Sequence, residues 1–294
     1  MNLASLLRLL TLAAIWGGSF LFMRIVVPAL GAVPTAFGRV VLSSAGLLAL
    51  IGLMRVPLAF HGKFRSTLLL GAVNSGMPFL LFSLAARVLP AGYSAILNAT
   101  APLMGVVIGA LGFHEQLTVA KASSVLIGLV GVAVLAQAGP VTPDAALVLG
   151  VGLCLAATAC YGLATYLTRR WISERGGLDS RITALGSQLG AVLSLLPFAV
   201  WNLASRPPAW SEVSGQAWLA LVALGLVCTS VAYILYFRLI ADLGPLKALT
   251  VTFLIPAFGV LWGWAFLGEP VGLAHLAGGG LIGVALWLVL RPAR

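Results

Sequence analysis

Charge is what this 294-residue chain lacks most: Asp, Glu, Lys and Arg together make up 8% of it, against about a quarter of a soluble protein. Hydrophobic residues fill 61%, so the two soluble domains that the length would otherwise suggest are excluded. Cysteine is scarce too. Cys154, Cys160 and Cys228 show no Cys-x-x-Cys spacing for zinc and no pair placed for a disulfide. His61, His114 and His275 have no second His or acid at metal-ligand spacing, and no nucleophile elbow, aspartate-rich motif or phosphate loop occurs. No catalytic residue, metal or cofactor is therefore expected, and a membrane enzyme or a structural membrane protein is the weaker alternative. The net charge of +10 would hint at nucleic acid in a soluble protein; with so few charges it belongs at a bilayer surface, and no nucleic-acid partner is expected.

What the chain has instead is length without charge. Eight stretches of at least 21 residues contain no Asp, Glu, Lys or Arg: 66–86, 88–113, 122–143, 145–168, 182–205, 213–237, 248–268 and 270–290. Each is long enough for a membrane helix of about 20 residues, and none alternates as a barrel strand would. Before them, residues 9–54 are broken only by Arg24 and Arg39, with Pro28, Gly31 and Pro34 between as turn signals. They read as two helices whose arginines snorkel to the interface. The first lacks a basic cluster before it and a good cleavage region, and is expected to be a retained helix. The expected spans are about 5–27, 35–54, 66–87, 91–112 and 119–137, then 146–169, 181–203, 215–238, 246–267 and 271–290.

The basic residues orient them. With the N-terminus inside, Arg8, Arg55, Lys63, Arg65, Lys121, Arg169, Arg170, Arg175, Arg181, Arg238, Lys247, Arg291 and Arg294 are cytoplasmic, and Arg24, Arg39, Arg87 and Arg206 are not. Thirteen against four places both termini in the cytoplasm.

The chain also repeats. A shift of 154 residues lays Gly71 on Gly225, Pro102 on Pro256, Gly105 on Gly259, Gly109 on Gly263 and Glu115 on Glu269; a shift of 145 lays Trp16 on Tyr161, Gly17 on Gly162 and Arg24 on Arg169. Five spans per copy is an odd number, so the copies face opposite ways across the membrane, as in many secondary transporters. The expected fold is an all-α integral membrane protein of ten transmembrane helices in two inverted five-helix repeats, residues 1–140 and 145–294. Gly105/Gly109, Gly186/Gly190, Gly259/Gly263 and Gly279/Gly283 each leave a small face for close helix packing; monomer and homodimer both stay open.

The strings AAIWGGSFLFMR, PLMGVVIGALGFHEQL and PAFGVLWGWAFLGEPV resemble the EamA-type family of the drug/metabolite transporter superfamily. The resemblance covers essentially the whole chain and implies a bacterial inner-membrane exporter of small metabolites, aromatic amino acids among them. It also implies a central cavity lined by spans 1, 3, 4, 6, 8 and 9, with spans 5 and 10 peripheral.

Under that arrangement Trp16, Ser19, Asn74, Met77, Phe79, Asn98, Tyr161, Thr165, Tyr233 and Thr252 are the expected substrate-binding residues. Aromatic faces can hold an apolar side chain and attract an ammonium, and amides at mid-membrane need partners that either a neighbouring helix or a hydrated cavity supplies. Trp210, Trp218, Trp262, Trp264 and Trp287 are assigned to packing and the interface. Pro78, Pro102 and Pro256, inside helical runs, are candidate hinges for gating. Glu115 and Glu269 are expected to cap or brace the 4/5 and 9/10 turns. Every acid lies at or near a loop, which disfavours a mid-membrane proton relay and favours facilitated transport. Arg238 and Lys247 could instead meet an anionic substrate such as a sugar phosphate or nucleotide sugar, the alternative cargo.

Overall fold

A computed structural model describes residues 3–138, 144–205, 207, 209–243 and 251–290. The described residues form helices and connecting turns, with no strand among them. In chain order they are α1 Leu3–Leu30, α2 Ala32–Leu53, α3 Phe64–Ala85, α4 Ala91–Gly112, α5 Val119–Ala138, α6 Ala145–Trp171, α7 Ser180–Ser205, α8 over 215–243, α9 Val251–Leu267 and α10 Leu273–Leu290. Seven of these, α1 to α4 and α6 to α8, are long and apolar enough to cross a membrane. The others carry shorter apolar stretches, Lys121–Leu135, Leu254–Leu267 and Leu273–Leu288. The expected start of a span at 246, Arg206, Lys247, Arg291 and Arg294 lie outside the described residues.

Local chemistry sets the helix limits. Asp144 accepts the Leu147 N–H at 2.8 Å and Ser214 that of Ala217 at 3.2 Å, capping α6 and α8. The turn expected over Pro28–Pro34 is much tighter: α1 runs through Pro28 and stops at Gly31, whose φ of 88° is the left-handed conformation that glycine adopts freely. Pro102 does not sit inside an unbroken helix. α4 breaks after Asn98 and resumes at Ala101, leaving Pro102 in the first turn of the second piece, where its missing N–H costs nothing. Its counterpart Pro256 lies inside the continuous α9, so the paired prolines are not structurally alike.

Both copies carry a π-helical turn at the matching place, Ala72–Gly76 in α3 and Ala223–Val231 in α8. In α3 it stands immediately before Pro78, which lacks the N–H that a regular helix would use. In α8 the hydroxyls of Thr229 and Ser230 bond the carbonyls five residues back, those of Leu224 and Gly225, at 3.0 and 3.4 Å. Such turns widen a helix and often mark functional sites.

Helices of opposite halves interlock in matched pairs. α1 packs on α9 as α6 packs on α4, α2 on α8 as α7 on α3, and α1 on α8 as α6 on α3, while α2/α7, α4/α9 and α5/α10 pair across the pseudo-twofold. Glycines permit the approach. A Cβ on Gly71 would collide with the Ser187 carbonyl, and one on its counterpart Gly225 would meet the Arg39 carbonyl at 3.1 Å and the Leu42 side chain. Arg39 and Ser187 thus hold equivalent places in the two halves. The outer surface carries apolar side chains that water would not tolerate in such number, among them Leu111, Val119, Trp201 and Leu273.

Gly71→Ala is expected to destabilise the protein by about 1–3 kcal/mol, the usual cost of overpacking, seen as a lower thermal midpoint in detergent. Gly152→Ala, where nothing lies within 4 Å, should leave that midpoint unchanged or raise it; equal melting of the two variants would contradict the packing described.

Candidate functional site

The two halves enclose a cavity of about 880 Å³. Of the ten residues expected to bind substrate, Trp16, Ser19, Asn74, Phe79, Asn98, Tyr161, Thr165, Tyr233 and Thr252 line it. Met77 does not; it faces outward and is 37% exposed. Of the candidate hinges, Pro102 lines the cavity, Pro78 is buried beside the π-turn, and Pro256 lines a separate crevice of about 290 Å³ between α4, α9 and α10. α2 and α7, which the family resemblance left out, also reach the cavity, through Arg39 and through Thr183, Ala184 and Ser187.

Rings from both halves build the walls. Trp16 meets Tyr236 with centroids 5.3 Å apart, and Phe82 stacks on Tyr161 at 6.3 Å and meets Phe20 edge-on at 5.5 Å. Polar groups stand at and beside the two π-turns, where Asn74, Thr229 and Tyr233 line the cavity and Gln188 donates to Ser75 Oγ at 2.9 Å. Thr100 and Thr158 hydroxyls pair at 3.1 Å, joining α4 to α6.

One residue departs most from expectation. Arg39 does not snorkel to an interface: it is 7% exposed, its guanidinium lies 3.7 Å from the centroid of the Phe79 ring, and its Nε donates to Thr229 Oγ1 at 3.2 Å. The π-turn of α8 presents that hydroxyl, and the ring face supplies cation–π attraction. All seven acidic residues are among those described, none lines the cavity, and none pairs with Arg39.

Arg24 finds its partners at the helix ends. Its Nη1 donates to the Ala86 carbonyl at 2.7 Å and its Nε lies 3.6 Å from Glu269. Glu269 accepts the Ala91 and Gly92 N–H groups at 2.9 and 3.4 Å, so this acid of the second half caps α4 of the first, where Pro90 supplies no side-chain cap. The expectation of a brace at the 9/10 turn thus takes a more specific form, a clasp between halves. The repeat-related pair is Arg169 and Glu115, 3.9 Å apart, with Glu115 shared with Lys121 at 3.4 Å and Arg169 with Glu174 at 3.0 Å. The cavity is shut at the Arg24 end, where no residue beyond Met23 on α1 or beyond Ile255 on α9 lines it. At the other end it opens past Thr168, Arg169 and Ser173 to Leu178 and Ser180.

The residues missed in the sequence are Arg39, Gln188 and Ser187. The signal for Arg39 was present: a single cation in an apolar run whose partner acid could not be found. Arg238, by contrast, lies off the cavity, 3.5 Å from Asp242, which also binds Arg8. Trp262 takes the packing role, its Nε1 donating to the Ala14 carbonyl of α1 at 3.0 Å. Trp210 and Trp218 stack on each other at 6.0 Å, well exposed.

Known proteins share this arrangement. A probable terminal-alkyne amino-acid exporter of Streptantibioticus cattleyicolor is 25% identical over 92% of this chain and 87% of its own. The uncharacterized transporter YvbV of Bacillus subtilis is 27% identical over 83% and 81%, and protein PecM of Dickeya dadantii 25% over 94% and 88%. A crystal structure superposes with a TM-score of 0.63 at 19% identity, covering 98% of this chain and 96% of that one, a likeness of fold alone. The sequence pattern of the EamA-like transporter family matches twice, at residues 3–137 and 148–291. With both halves of the helical bundle matched and a cavity between them, the chain belongs to the EamA-like transporter family, as a multi-pass membrane protein.

Proposed function

We propose that the protein exports amino acids with aromatic or apolar side chains across the bacterial inner membrane, as a carrier and not an enzyme. Its ten spans form two inverted five-helix repeats with both termini cytoplasmic, and the cavity is exposed to each side in turn. The observation that carries this reading is the cavity itself: aromatic walls and amide and hydroxyl groups from both halves, with a mouth beside Arg169. A relative named as a probable amino-acid exporter supports the cargo. Trp16, Phe79, Tyr161 and Tyr233 would contact the side chain, and Ser19, Asn74, Asn98, Thr165 and Thr252 the polar ends. The residues first considered for a sugar phosphate or nucleotide sugar give no such support, Arg238 lying off the cavity and Lys247 outside the described residues.

With the basic residues concentrated inside, the mouth beside Arg169 faces the cytoplasm, and the clasp of Glu269 on Arg24 and α4 closes the outer side. Transport then exchanges one closure for the other: the outer clasp releases as Glu115 and Arg169 draw together. The π-turns in α3 and α8, with Pro78, Pro102 and Pro256 nearby, are where the helices can bend. A cavity without carboxylates offers no proton relay, so flux follows the substrate gradient.

Liposomes containing the protein are expected to take up aromatic and apolar amino acids in preference to nucleosides and sugar phosphates, with no extra accumulation when a pH gradient is imposed. Gradient-driven accumulation would overturn the facilitated mechanism, and uptake of sugar phosphates alone would overturn the cargo. Trp16→Ala, at normal expression, should raise the transport KM about tenfold, the loss of roughly 1.4 kcal/mol of ring contact; unchanged transport would remove Trp16 from the site. Glu269→Gln should increase labelling of a cysteine placed at Phe20 by a membrane-impermeant reagent added outside. No increase would show that the Glu269 clasp does not hold the outer side shut.

A further inference from the structure

We infer that Arg39 is the carboxylate anchor of the transport site, which restricts the cargo to molecules carrying one accessible carboxylate; this rests on the amino-acid reading above and goes beyond it. A guanidinium keeps its charge in any protein environment, and burying a charge is costly unless it is paired. Arg39 is buried against the cavity with a hydroxyl on its Nε and an aromatic face beneath it, and no acid of the chain pairs with it. Thr229 and Phe79 fix the plane of the group and use one of its five N–H donors, leaving the terminal nitrogens to a planar acceptor. A carboxylate meets such a fork with two parallel hydrogen bonds.

The fold itself does not call for a cation there. Ser187 occupies the equivalent place in the other half, with the same close glycine contact to its backbone, and it is small and neutral. The charge is thus an addition to one wall of a pseudo-symmetric cavity. Its surroundings bear on the pose: the Phe79 ring holds the guanidinium, and Trp16 and Tyr236 form a ring pair within the same cavity, with Tyr161 a further wall, for the apolar side chain. Among the described residues Arg39 is the one Lys or Arg in the lining apart from Arg169 at the mouth. One buried cation matches one carboxylate better than a phosphate dianion.

The test is equilibrium binding to the full-length protein in detergent, by titration calorimetry, with phenylalanine, phenylalaninamide, 3-phenylpropionate and phenyl phosphate. Wild-type protein is expected to bind phenylalanine about ten- to a hundred-fold more tightly than the amide, the usual range for a charge-assisted bond, and to bind phenylpropionate more tightly than phenyl phosphate. Arg39→Gln should remove the preference for acid over amide, weakening acid binding much more than amide binding, and Arg39→Lys should restore part of it. Equal binding of acid and amide by the wild type overturns the anchor even if Arg39→Gln fails to fold, as does an acid preference that survives in a folded Arg39→Gln. If phenylalanine and its amide both fail to bind, the amino-acid reading falls. Phenylpropionate then decides Arg39 alone: binding abolished by Arg39→Gln upholds the carboxylate site, and absence of binding to the wild type overturns it. Tighter binding of phenyl phosphate than of phenylpropionate overturns the restriction to carboxylates.

Discussion

Backbone-to-backbone contact between the two halves is the constraint from which the rest of this molecule follows. Lipid gives helices no hydrophobic reason to associate, so their packing depends on close approach of small residues. Gly17 of α1 lies against Phe258 and Gly259 of α9, and Gly162 of α6 against Met104 and Gly105 of α4, the same contact made twice by repeat-related residues. Trp16 and Tyr161, one position earlier in each helix, line the cavity between these contacts. The glycines that lock the halves thus also fix where the two principal rings of the site stand.

On this symmetric frame the cavity is filled asymmetrically. Trp16 answers Tyr161, Asn98 answers Thr252, Asn74 answers Cys228, and Arg39 answers Ser187. The frame supplies two repeat-related ion pairs, and the filling gives the two halves of the cavity different side chains. A symmetric filling would hold a cargo equally well in two opposed poses. Unequal walls select one, which is what a molecule with one carboxylate and one side chain requires under the proposed function.

Much of this was legible without coordinates. Runs such as 88–113 and 182–205 could only be helices, and the offset that pairs Gly71 with Gly225 anticipates the interlocking of α3 on α7 with α8 on α2. Most expected site residues reached the cavity because mid-span polar and aromatic residues on lining helices have few other places to go. The failures have physical causes. Arg39 was assigned to the interface from its distance to a helix end, a measure blind to the direction in which the side chain leaves the helix. Met77 is next to the π-turn, where the extra residue per turn shifts the face that a regular helix would present. Pro102 does mark an interruption of its run: the irregular turn follows Asn98, whose carbonyl Pro102 has no N–H to meet. Glu269 was recognised as a brace, but its partner lies 178 positions away in the other repeat, beyond any local pattern.

The two clasps differ in how far water reaches them. At the shut end the Glu269 side chain is 14% exposed and bound to backbone N–H groups, whereas Glu115 and Arg169 at the open end are 36% and 66% exposed. Mobile ions screen exposed pairs over about 8–10 Å at ordinary ionic strength and affect buried ones much less. Dissolved salt therefore acts unequally on the two ends of the same pseudo-symmetric protein, weakening the attraction that would close the mouth and sparing the clasp that holds the far side shut. Under the proposed exchange of closures, the electrolyte bathing the mouth becomes part of what sets the resting conformation.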